Sequence, residues 1–118
     1  MTRTRAFEAE IRYQPAASVI DLHGEINGNA DEQLNLAYAE AAAGGPSAIL
    51  LNFQDVSYIN STGIALIVGL LAQARKSGTT LLTCGLSDHY LEIFEITRLV
   101  DFMKVFPDER SAIAEIEH

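Results

Sequence analysis

The sequence contains one cysteine, no tryptophan and only three prolines in 118 residues. A lone thiol cannot close a disulfide within a monomer, so a stapled secreted scaffold is excluded and a reducing compartment fits. Cations are also scarce. Eight Lys and Arg stand against sixteen Asp and Glu, a formal net charge of −8. A chain of that sign repels phosphate backbones and offers anionic lipid no basic cluster, which argues against nucleic-acid and membrane-surface partners. Long apolar runs are missing. The longest, about Ile64 to Ala72, falls well short of the roughly 20 residues of a membrane helix, so no membrane insertion is expected. Met1 to Arg5 lead into a strand pattern without an apolar leader core, and a cytoplasmic location is expected. The sequence has no G-x-G-x-x-G, no P-loop and no nucleophile elbow. His23, His89 and His118 share no metal-ligand spacing with cysteine or carboxylates. Cys84 closes an apolar strand with no base beside it in sequence, and reads as a small buried hydrophobe. Nothing in the sequence supports catalysis, a metal or a cofactor.

What remains is an ordinary globular balance, 48% apolar and 20% charged, which excludes intrinsic disorder. One domain is expected over residues 1–118, its core about 6–117. Phe7, Ala9, Ile11 and Tyr13 alternate with Glu8, Glu10 and Arg12, which predicts a half-buried strand. Ser18 to His23 reads as its hairpin partner, followed by a loop between Gly24 and Gly28. Asp31-Glu32 open a helix with the stripe Leu34, Tyr38 and Ala41 or Ala42, stopped by Gly44-Gly45-Pro46. Ala48 to Phe53 is a short apolar run that suits a strand covered on both faces. A polar stretch, Gln54 to Gly63, precedes a helix with the stripe Ile64, Ile67, Val68 and Leu71, ending near Arg75 to Gly78.

Thr79 to Cys84 is the next strand, and Ser87-Asp88 cap a helix carrying Tyr90 or Leu91, Phe94 and Ile96. Phe102 to Phe106 reads as a last strand. Pro107 fits the first turn of a final helix that buries Ala112, Ile113 and Ile116. Two strands precede a strand–helix alternation, so the fold class is α/β with a mixed sheet: a hairpin leading into βαβ units.

One segment stands apart, Asn60-Ser61-Thr62-Gly63 between a strand and an apolar helix. Its side chains suit helix capping. The same helix start also tolerates negative charge, so a phosphate on Ser61 would be accommodated and would add about −1.5 to −2 charges. The two roles are compatible. The helix that follows is apolar nearly all round, since Ala65, Leu66, Gly69, Leu70 and Ala72 join the core stripe. Either neighbouring helices cover the extra face or it presents a patch to a partner.

The stretch from Leu51-Asn52-Phe53 through Asp55-x-Ser57-x-Ile59-Asn60-Ser61-Thr62-Gly63-Ile64 resembles the signature of STAS domains, in particular bacterial anti-anti-sigma factors. In that family a strand ends in D-x-S and a D-S-[ST]-G segment opens a helix. Gly24-Glu25-Ile26-Asn27 falls where the family has a G-E-x-D turn. Gly78 to Leu82, Phe94 to Leu99 and Phe102 to Phe106 resemble its later elements. The resemblance implies a STAS-like single domain, a mixed four- or five-stranded sheet with about four helices packed against it. It also implies a non-enzymatic switch protein that binds an anti-sigma factor, typically a GHKL-type serine kinase, and so releases a sigma factor for transcription. The kinase would phosphorylate Ser61 and a PP2C-type phosphatase would restore it. Asn27, Asn60, Ser61, Thr62, Gly63 and Leu66 would form the partner-binding surface, with Glu25, Asp55 and Ser57 as neighbours. Asn60 and Asn27 stand where the family carries acids, which keeps hydrogen bonding and removes charge. The alternatives are a non-phosphorylated interaction or scaffold subunit of a signalling or transport assembly, and a small-molecule sensor.

Overall fold

Ala9 and Ile11 turn toward the core and Glu8 and Glu10 toward water, as a period of two requires. In the computed structural model, which describes residues 6–117, this first strand is β1 (Glu8–Tyr13). It pairs antiparallel with β2 (Ser18–Ile26) through a tight turn. The 3₁₀ turn Gly28–Ala30 leads into α1 (Asp31–Ala42). Then follow β3 (Ala48–Ile59), α2 (Ser61–Ser77), β4 (Thr80–Cys84) and α3 (Asp88–Ile96). A second 3₁₀ turn, Leu99–Asp101, precedes β5 (Lys104–Phe106) and α4 (Glu109–Glu117). The sheet order is β1-β2-β3-β4-β5, and every pair after the hairpin is parallel. The expected mixed α/β architecture is therefore present, with five strands and four α-helices among the described residues.

The sheet separates two cores. Ile20, Leu22, Ile49, Leu51 and Phe53 face α1, α2 and α3, where they meet Leu34, Tyr38, Ile67, Leu70 and Phe94. Val19, Leu50, Leu82 and Cys84 face the other way, onto Ala112 of α4. Burial on both faces accounts for the unbroken apolar run at the start of β3.

Several elements depart from the sequence expectations. β2 continues past His23 to Ile26 and β3 past Phe53 to Ile59. The extensions pair with each other, Gly24 with Val56, Glu25 with Tyr58 and Ile26 with Ile59. Each supplies the other's backbone partners, so polar residues stay in a strand although no apolar pattern marks it. Register shifts interrupt the pairing, one at Gly24, whose φ of 87° suits glycine at a bulge.

The buried stripe of α2 is Ile67, Leu70, Leu71 and Ala74, not Ile64, Ile67, Val68 and Leu71. Val68 is 45% exposed. Both sets have helical spacing, and a helix apolar all round leaves its rotation to the neighbours it packs on. Ile96, expected in the core, is 72% exposed, because α3 buries Tyr90 and Phe94 instead. Phe102 lies outside β5 and is held under the Arg75 guanidinium, 5.4 Å from its ring centroid. Pro107 precedes α4 rather than opening it, since Asp108 Oδ1 accepts the Ser111 N–H at 2.8 Å as the cap.

An ion cluster ties α4 to the hairpin. Arg12 Nε donates to Asp21 at 2.5 Å and Nη2 to Glu109 at 2.5 Å, while Asn52 Nδ2 donates to Asp21 at 2.9 Å. The Arg12 hydrogen bond holds the Asp21 carboxyl below its ordinary range, and the same pairing raises Arg12 further. A lowered carboxylate stabilises the fold above its unfolded pKa of about 4, and that contribution fades as pH falls through the folded value. Asp21→Asn is therefore expected to lower the urea midpoint at pH 7. The gap to the wild-type protein should narrow as pH falls below the ordinary carboxylate range. A gap independent of pH would show that Asp21 acts by shape alone.

Candidate functional site

The paired ends of β2 and β3 position the start of α2. Ile26 C=O accepts the Asn60 N–H at 3.2 Å, so the residue before the helix is tied to the neighbouring strand. Asn60 is extended, and its Oδ1 accepts the Gly63 N–H at 2.8 Å. Capping is thus its direct role, and an amide performs it without charge. Asn27 does the same for the adjoining 3₁₀ turn, accepting from the Asn29 N–H at 2.9 Å.

Gly63 explains why the turn can sit so close. A Cβ at this position would lie 2.1 Å from Ile26 O and 2.9 Å from the Ile59 side chain. Only a residue without a side chain lets the first turn of α2 rest on the end of β2. Gly28 also lies beside this turn, since a Cβ there would meet Thr62 Cγ2 at 3.6 Å.

Ser61 is the first residue of α2 and is exposed, as is Thr62. Among the described residues neither hydroxyl makes a side-chain hydrogen bond. The first turn carries no acid, so the positive end of the helix is not offset, and its leading N–H groups have no intrahelical acceptors. Counting along α2 by helical spacing, Ser61, Ala65, Val68, Gly69 and Ala72 share one face, and all five are exposed. Of the extra apolar residues, Leu70 is buried and Leu66 partly so, while Ala65, Gly69 and Ala72 stay exposed, which leaves a narrow open stripe of mostly small residues. Leu66 lies beside it and packs partly against the core.

The structure therefore brings Asn27, Asn60, Ser61, Thr62 and Gly63 together at one end of the sheet, with Leu66 one turn further along α2. Glu25, Asp55 and Ser57 stand on the strands behind them. Sequence reasoning assigned Val68 to the core and had no means of seeing the approach of Gly63 to Ile26. The glycine was visible, but its neighbour lies 37 residues earlier in the chain.

The other chemical candidates have structural settings. His23 sits between two carboxylates, Nε2 3.3 Å from Glu10 and Nδ1 3.2 Å from Asp55. Cys84 is fully buried, and burial pushes its thiol up to about 12, aided by Glu109 and Asp21, so it stays protonated and unreactive. Among the described residues no group of three or more His, Cys, Asp and Glu side chains is arranged to hold a metal ion. No described helix is long and apolar enough to cross a membrane.

Known proteins resemble this chain in sequence and in fold. The chain is 33% identical over 86 residues to the anti-sigma-B factor antagonist of Staphylococcus aureus (strain NCTC 8325 / PS 47), spanning 73% of this chain and 80% of that one. It superimposes on the phosphorylated form of the Bacillus cell fate determinant SpoIIAA with a TM-score of 0.70 at 25% identity, covering 94% of this chain and 99% of that one. An anti-sigma factor antagonist from Mycobacterium paratuberculosis shares the fold, with a TM-score of 0.78 at 17% identity and 96% coverage of both chains. The STAS domain family model matches residues 8–112, nearly the whole of the sheet and the helices just described. Because that model spans most of the chain, and a relative one-third identical covers 73% of it, the chain belongs to the STAS domain family.

Proposed function

We propose that this protein is an anti-sigma factor antagonist, a regulatory protein rather than an enzyme, that docks its partner on the start and outer face of α2 and is switched at Ser61. One observation carries the reading: the uncovered Ser61 hydroxyl shares its helix face with the open stripe Ala65, Val68, Gly69 and Ala72. Whatever covers that stripe also covers the hydroxyl. Two relatives support it, one named for antagonising an anti-sigma-B factor and one solved in a phosphorylated form.

The partner is an anti-sigma factor of the GHKL serine kinase type. It transfers the γ-phosphoryl group of ATP to Ser61 Oγ, which loses its proton as ADP leaves. The added charge, about −1.5 to −2, is tolerated by the free protein at a helix start with no acid in its first turn. It is not tolerated beneath a docked partner, where it would be stripped of water against neutral groups. Phosphorylated protein therefore dissociates, and a PP2C-type phosphatase resets it by hydrolysis. The unphosphorylated form holds the anti-sigma factor and leaves the sigma factor free for transcription. The role is a cytoplasmic one. Asn60 and Asn27 retain the two caps while removing acid from the docking rim, which selects a partner that makes no ion pair there.

The test is to incubate the protein with the GHKL-type serine kinases of its own genome and ATP, then weigh it intact. The wild-type chain should gain the mass of one phosphoryl group and leave the complex. Ser61→Ala should gain none and stay bound. A kinase complex that forms without phosphoryl transfer to the wild-type chain would replace the switch with a scaffold role.

A further inference from the structure

A second surface lies at the far end of α2. A groove of about 1140 Å³ runs between the C-terminal half of α2, α3 and β5, with Leu71, Ala74, Leu81, Val100 and Met103 among its apolar lining residues and Leu91 on its α3 wall. Arg75, at its edge, lies fourteen residues beyond Ser61, about 21 Å along the helix axis, so the groove is separate from the switch surface. It is an open groove rather than an enclosed cavity, and the rim residue Phe102 is 55% exposed, which suits a polypeptide better than an enclosed ligand.

The charges on the rim select the occupant. Lys104 is paired with Glu115 at 3.5 Å, Asp101 with Arg98 at 2.6 Å, and Arg75 is seated over the Phe102 ring. Asp88 and Glu95 are exposed, and among the described residues neither forms an ion pair. They stand two turns apart on one face of α3, about 10.5 Å, with Leu91 between them. The wall is thus acid–apolar–acid at helical spacing. A second copy of this chain is a poor match, since it brings its own net charge of −8. Strand addition to β5 is opposed by the shortness of that edge, its Lys104 and the following Pro107.

The geometry points to a basic amphipathic helix of a second protein as the occupant of this groove, with Lys or Arg at i and i+7 facing Asp88 and Glu95 and apolar residues at i+3 and i+4 on Leu91 and the groove floor. The protein then has two docking surfaces at opposite ends of α2 and can hold two partners at once. This holds whether or not Ser61 is phosphorylated.

The probe is a synthetic Leu/Lys amphipathic peptide of about four turns, roughly 14 residues, titrated into the full ¹⁵N-labelled chain. Amide shifts should concentrate at Leu71, Leu91, Glu95 and Phe102. Combining Asp88→Asn with Glu95→Lys should weaken binding about tenfold, while Glu8→Lys with Glu10→Lys on the far sheet face should leave it unchanged. Ser61→Asp should bind the peptide like the wild type, which keeps this result independent of the switch. Equal losses from both charge pairs, or shifts spread over the strands of β1 and β2, would mean general attraction to an acidic protein and would overturn the assignment. So would equal binding of a Leu/Glu peptide.

Discussion

Replacing Gly63 with alanine is expected to destabilise the protein by about 3 kcal/mol, lowering the melting temperature by about 12 °C. The new Cβ would sit 2.1 Å from Ile26 O and 2.8 Å from Ile26 C. The obstacle is backbone at the end of a buried strand, so no side-chain rotation can relieve it. Either α2 lifts off the sheet, loosening Ile67 and Leu70, or the Asn60 N–H to Ile26 O hydrogen bond at 3.2 Å is lost. Alanine gains up to about 1 kcal/mol over glycine in a helix, which offsets only part of this. Gly69→Ala supplies the control on the same helix. A Cβ there meets nothing within 4 Å, so that change should stabilise by about 0.5–1 kcal/mol. Urea midpoints at constant m value read both. Equal and opposite signs are not required, but the two signs must differ; a stabilising Gly63→Ala would remove the close approach on which the position of Ser61 depends.

Ser61→Asp should separate binding from stability. A carboxylate at the first position of α2 faces the positive helix end, so the free protein should gain about 0.3–1 kcal/mol. Binding to the proposed anti-sigma factor partner should weaken about 100-fold, near 2.7 kcal/mol, because the proposed docking would bury the charge away from water. Ser61→Ala should bind within about threefold of the wild type, since a methyl group adds neither charge nor bulk. Calorimetric titration gives the affinity and a thermal melt gives the stability. The opposed directions matter, because a variant that merely unfolded would lose both. Wild-type affinity for Ser61→Asp would take Ser61 out of the mechanism.

The elements legible in sequence were those whose environment is local. Alternation in β1, the apolar run of β3 buried on both faces and the residues capping α2 each leave their mark within one short stretch. Even the small residues around Ser61 announced a helix start, because capping acts within three residues. The extended tails of β2 and β3 were not legible, since Glu25, Tyr58 and their neighbours are held by each other's backbone rather than by a buried face. The rotation of α2 was equally hidden. Val68 and Leu70 are both apolar, and only contact with the sheet distinguishes the exposed one from the buried one.

Sequence by itself determined the α/β order, the scarcity of cysteine and of cations, and the place of Ser61 at the opening of an apolar helix, because each follows from residue type and short spacing. Tertiary structure alone decided that this helix rests on Ile26 through Gly63, that its Ala65–Ala72 face stays open, and that Asp88 and Glu95 wall a groove at the other end. Those properties depend on atoms brought together from distant parts of the chain, and excluded volume between them is written in no single stretch of it.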